Sequence, residues 1–214
     1  MHSKILFGFL YGAILFAALN LPLNAATIFS QGAPTSASID MTDYRLADDF
    51  TLLQASTITG INFWYTSAQQ SNLTTVSWAI YNSTANAPGT LIGSGSAAAA
   101  TAPFFNIYYA AISTSVLNLA AGNYWLELHS GPTLSGFSGP QNFWVFANDN
   151  ATSLALFNNG AGFPNSPINP GSPGYGQFTF QLTGTTGPTG VPEPATYAML
   201  AAGLGLIVLR KRAR

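Results

Sequence analysis

The chain has 214 residues, 48% of them hydrophobic and 6% charged, and no cysteine. That length suits one domain with accessory segments, and the missing cysteines exclude a disulfide scaffold, thiolate metal sites and a cysteine nucleophile. Between Ala26 and Val191 a single cation, Arg45, faces six acids, which excludes phosphate-neutralising nucleic-acid binding and attraction to an anionic lipid surface.

In chain order, Lys4 in a short basic start precedes an apolar run over residues 5–19, a proline-broken polar stretch and the small pair Ala25-Ala26. This is the order of a secretory signal peptide, so residues 1–25 are expected to be removed by signal peptidase. A spanning helix is the alternative, but the run extends only about 22 Å against a hydrocarbon core of about 30 Å.

Residues 26–183 carry strand signals and no sustained helical period. Runs rich in Thr, Ile, Val, Phe, Tyr and Trp predict strands at 47–53, 57–66, 74–82, 90–96, 108–113, 122–130, 142–147 and 176–183. About eight strands at that spacing indicate an all-β fold, an antiparallel β-sandwich or jelly roll. Alternation puts Val76, Trp78 and Ile80 on a core face, likewise Tyr124, Leu126 and Leu128, and Phe178, Phe180 and Leu182. Two stretches break the pattern. Residues 95–102 are low in complexity, a poor strand or a loop, and 158–176 is a long loop with prolines at every third position from Pro164 to Pro173.

Beyond the body, residues 184–191 form a Gly- and Thr-rich linker, followed by Pro192-Glu193-Pro194, an apolar run over 195–209 and the cations Arg210, Lys211, Arg212 and Arg214. Pro194 suits the first turn of a helix. The run is short for a bilayer, and its terminal cations are expected to stay on the cytoplasmic side as a stop-transfer anchor.

The segment VPEPATYAMLAAGLGLIVLRKRAR (191–214) resembles the PEP-CTERM sorting signal: Pro-Glu-Pro, a glycine-containing apolar helix and an arginine-rich end. The resemblance implies recognition of Pro192, Glu193 and Pro194 by exosortase, a membrane protease or transpeptidase of Gram-negative bacteria that make exopolysaccharide. It also implies a chain held in the inner membrane with its body on the periplasmic side, then released or transferred to the envelope or extracellular matrix. ADDFTL (47–52), ITGINFWY (58–65), APGTLIGSG (87–95), GNYWLELHSG (122–131) and FTFQLTG (178–184) are similar to the exported β-sandwich bodies that precede such tails.

Chemistry-bearing patterns in the body are few. His129 is its only histidine, with no nucleophile elbow or His-Glu-x-x-His helix to join, and reads as a surface histidine. Glycoside hydrolysis asks for two acids across a cleft, which here would pair Glu127 or Asp149 with an aspartate from the 40–49 cluster. Asp40, Asp43, Asp48 and Asp49 are oxygen donors suited to Ca²⁺, but their spacing is not that of an EF-hand loop and Asp48 and Asp49 should face opposite ways. No metal or cofactor is predicted.

Parity turns Trp64, Tyr81 and Trp125 away from the core faces, with Trp144 a further candidate. Beside Glu127 they form a candidate sugar platform, unless a second layer covers them. The sequence thus predicts a non-enzymatic, exported component of the envelope or matrix, structural or exopolysaccharide-associated. A carbohydrate-binding module and a glycan-active hydrolase or lyase are the alternatives.

Overall fold

The computed structural model of the chain describes residues 25–69, 73–135, 139–148, 155–158, 166–167 and 176–187. The expected leader up to residue 24, Asp149, most of the 158–176 loop, and the tail with Pro192, Glu193, Pro194, Arg210, Lys211, Arg212 and Arg214 lie outside the described residues.

Among the described residues every regular element is a strand. In order these are β1 (Ala26–Gln31), β2 (Pro34–Asp40), β3 (Arg45–Leu52), β4 (Ser56–Ser67), β5 (Thr75–Thr84), β6 (Ala87–Ala98), β7 (Ala100–Phe104), β8 (Ile107–Leu119), β9 (Gly122–Ser130), β10 (Asn142–Ala147), β11 (Leu156–Asn158), β12 (Ser166–Pro167) and β13 (Phe180–Thr186). They form two antiparallel sheets arranged as a sandwich, as the strand spacing predicted. Sheet A is built around the twelve-residue β4. One edge of β4 pairs with β8, which carries β7, and the other is shared by β13 and β10, which carry β1 and β2. Sheet B runs β12-β11-β3-β9-β5-β6.

The ambiguous 95–102 stretch is the end of β6 and most of β7, joined at Ala99 where the chain passes from the edge of sheet B to the edge of sheet A. The last strand runs through Gly184 to Thr186, pairing with residues 56–58, so the sheet extends three residues into the expected linker.

The core between the sheets is aromatic. Phe63 and Tyr65 from β4, Phe178 just before β13 and Phe180 at its start are buried there, with Trp78 from β5 and the inner faces of β3 and β9 opposite. Ile58 and Ile61 both face inward although three apart, because a bulge between Ile58 and Gly60 shifts the parity of β4. Trp144 departs from expectation. It belongs to this core, fully buried, its ring stacked on Phe178 at 4.3 Å and its Nε1 donating to the Thr179 carbonyl at 3.0 Å. Its register explains why: Trp144 pairs with Tyr65, an inward residue, so it shares the inward face and Phe143 takes the outward one.

One acid is also inside. Asp48 lies on the inner face of β3 among Leu46, Phe50 and Leu52, fully buried. It accepts the backbone N–H of Phe178, whose bridge to Phe146 belongs to sheet A, and that of Asp49 at 3.0 Å. The carboxylate thus ties one sheet to the other through hydrogen bonds that offset its desolvation.

Candidate functional site

Three of the polar groups that the sequence singles out, Tyr81, Glu127 and His129, lie on the outer face of sheet B. Ala47, Glu127 and Ala79 are level with one another on β3, β9 and β5, so the glutamate stands between two methyl groups. Small neighbours leave space beside its carboxylate, and longer side chains two positions away on each flanking strand fill it from the diagonal. Arg45, two residues before Ala47, donates through Nε to Glu127 Oε1 and through Nη2 to Oε2 at 2.8 Å. Tyr81, two residues after Ala79, donates its hydroxyl to Oε2 at 2.6 Å and accepts from Arg45 Nη2 at 3.3 Å.

Glu127 has no exposed surface, while the Arg45 side chain is 23% exposed. The pair is a fork-to-fork ion pair lying flat on the sheet under little water. Its electrostatics follow from the contacts. The hydrogen bond to Glu127 raises the Arg45 pKa above its ordinary value, against the pull of burial. Burial first, and the Glu127 carboxylate second, push the Tyr81 hydroxyl well above the usual phenol range. Both Arg45 and Tyr81 therefore hold their protons across neutral pH.

Trp125 sits on the same face, level with Asp49 and Tyr81. It is buried with Ala47 and Leu156, and its Nε1 donates to Ser83 Oγ at 3.2 Å. His129, expected at the surface, is buried on this face beside Ser77, with the backbone of Thr133 and of Thr42 within reach of its ring. Its Nδ1 has no hydrogen-bond partner among the described residues. Burial lowers its pKa, while the backbone of Thr133, the Glu127 charge and the backbone of Thr42 pull the other way.

Trp64 is elsewhere. It points out of sheet A, where Tyr109, its cross-strand partner on β8, and Phe104 meet its ring edge-on and leave it 8% exposed. The four expected platform residues therefore divide between two sheets. Tyr81, Trp125 and Glu127 come together, Trp64 does not join them, and Trp64, Trp125 and Glu127 are buried. The parity reading of all four was right in direction, since each turns away from the core between the sheets.

The aspartates also part company. Asp40 Oδ1 accepts the backbone N–H groups of Thr42 and Asp43 at 2.7 and 3.2 Å, closing the turn after β2, and Asp49 accepts from Gln177 Nε2 at 2.9 Å. Asp48 and Asp49 face opposite sides of β3, as their adjacency requires. Among the described residues no three of His, Asp and Glu gather in a way that could hold a metal ion. Sequence reasoning missed Arg45 as the partner of Glu127, although a lone cation in an acidic body was the signal that it would be paired. It also missed Phe104 and Phe105, adjacent aromatics at the end of β7 and in the turn that follows it.

Residues 190–214 match the PEP-CTERM protein-sorting motif. No curated protein matches the chain. A motif of this kind indicates an exported protein, anchored in the membrane until exosortase processes it.

Proposed function

We propose that the body sorted by this motif is a non-enzymatic component of the cell envelope or extracellular matrix, structural or associated with exopolysaccharide. The closure of the outer-face cluster supports this most. Glu127, the body's one glutamate, has both oxygens engaged by Arg45 and Tyr81 and none of its surface open. A general acid or nucleophile needs a carboxyl that reaches substrate and changes protonation or bonding. This one is held fixed, as a structural ion pair is.

The test follows the protein to its place. In its exosortase-bearing host the mature body should be recovered from the envelope or matrix fraction, and incubation with matrix polysaccharide should release no new reducing or unsaturated ends. Recovery from the medium as free monomer, or glycan cleavage lost in Glu127→Gln, would sink the reading. Replacing Pro192, Glu193 and Pro194 together by alanine should leave export intact but hold the chain, uncut, in the inner membrane. Maturation of that variant would remove the motif from recognition without touching the reading of the body.

A further inference from the structure

The outer face of sheet A ends at the β7–β8 hairpin, where Phe105 and Asn106 form the two-residue turn between the paired Phe104 and Ile107. Only the first of the two has a positive φ, 52°. That is the pattern of a type II′ turn, whose first central position ordinarily takes glycine. The chain places phenylalanine there and leaves the residue 94% exposed. A bulky residue forced into the left-handed region, with no burial to reward it, is strain kept for something other than the fold.

Beside this turn the surface is hollow. Residues 34–36 of β2 face residues 104–107 across an open cleft of about 250 Å³. Phe104 carries the aromatic surface inward. Its ring centre is 5.2 Å from that of Phe105, nearly perpendicular at 86°, and 6.0 Å from that of Trp64, which lies 5.3 Å from Tyr109. Four rings thus step from solvent down onto the sheet. The buried Trp64 Nε1 beneath them has no acceptor among the described residues.

The lining contains no charged side chain. Its polar groups are the Asn106 amide and the hydroxyls of Thr35 and Ser36, of which Thr35 already donates to the Phe146 carbonyl at 3.0 Å. An apolar ring face with an amide and a hydroxyl beside it matches an uncharged sugar, whose C–H face stacks on the ring while its hydroxyls take the polar groups. An acidic glycan would find no cation here, in a body with one cation against six acids. A helical peptide would need a longer apolar stripe than this short cleft offers.

We propose that the cleft between β2 and the β7–β8 turn binds a neutral sugar unit of a polysaccharide chain, with Phe105 as the stacking platform and Asn106 as its hydrogen-bonding neighbour. The proposal rests on the reading of the body as matrix-associated, and names its site and ligand class.

Calorimetry on the full chain, in a detergent without a sugar headgroup, tests it with cellohexaose, mannohexaose and dextran, with alginate as the acidic comparison and an amphipathic peptide as the protein-like one. At least one neutral saccharide should bind, more tightly than alginate. Phe105→Gly should weaken that binding about tenfold or more while the melting temperature holds or rises. Asn106→Ala should weaken it by a smaller factor. Equal binding by Phe105→Gly would place the sugar elsewhere and overturn this site while leaving the matrix reading standing. Binding of the peptide and of no neutral saccharide would overturn the ligand class. Failure of every neutral saccharide would overturn the site as well, and fractionation of the exported protein would then decide the matrix reading separately.

Discussion

Both sheets cover the large outward side chains at their centres, but by different means. Sheet B closes with charge, since Arg45 and Tyr81 lie over Glu127 in the gap between Ala47 and Ala79. Sheet A closes with rings, since Tyr109 and Phe104 lie against Trp64. The difference decides what each face has left to offer. Charge closure consumes every donor and acceptor it uses, so the groups best suited to chemistry are the ones least available for it. Ring closure consumes only part of each ring, and at the rim Phe104 and Phe105 keep surface for a ligand.

The comparison breaks first at Glu127. Glu127→Ala takes the carboxylate away from the partly buried Arg45 and should cost about 3 kcal/mol in urea unfolding. Replacing both members by apolar residues, Arg45→Met with Glu127→Leu, should cost less than that single change, because no charge is then left stranded. A double variant as unstable as the single one would mean that the pair contributes more than its own neutralisation. On sheet A, Trp64→Ala should cost about 3 kcal/mol through lost packing, with no salt dependence. A marked salt dependence there would show that the two faces are not closed by different physics.

A smaller effect separates the faces by pH. Burial depresses the His129 pKa in the folded chain, so as the pH falls the unfolded chain takes up a proton that the folded one still refuses. The contribution is therefore complete above the ordinary histidine value of about 6.5 and drains away as the pH drops through the folded value. Melting temperatures between about pH 7.5 and pH 5 should fall more for the natural chain than for His129→Gln. Parallel curves would remove His129 as a source of acid lability.

How far the sequence carries can be argued strand by strand. The alternating runs that build the core were legible because each buries one face, as in Val76, Trp78 and Ile80. β1 and β2 were not, because these lie at the margins of sheet A and bury little, so Ser, Thr and Ala take positions where a central strand would show large apolar residues. β7 was left open as a poor strand or a loop because the stretch leading through it is low in complexity, and it ends over Pro103, which a sheet tolerates at an edge. At the site, parity gave the direction of Trp64, Tyr81, Trp125 and Glu127, since direction is local. Their covering was not legible, because Phe104 and Arg45 arrive from distant parts of the chain. Trp144 went astray because parity within a strand fixes which residues share a face and leaves open which face is inside.

The smallest expected effect is the sharpest test of what the ring at position 105 is for. Among the described residues two hairpins carry non-glycine residues at positive φ: the β5–β6 turn, with Ala85 at 50° and Asn86 at 58°, and the β7–β8 turn, with Phe105 at 52°. Glycine at Ala85 or at Phe105 should relieve about 1 kcal/mol of backbone strain and give back part of that in unfolded-chain entropy. The net is about 0.5 kcal/mol of stabilisation, a rise of about 1–2 °C in melting temperature. On stability alone the two variants should look alike. On saccharide binding they should divide, Ala85→Gly leaving it unchanged and Phe105→Gly losing it, because only the second removes a ring that borders the cleft. Were Phe105→Gly instead to lower the melting temperature by several degrees, the exposed ring would be holding the hairpin together, its strain would be rewarded within the fold, and the argument that it is kept for a ligand would fail.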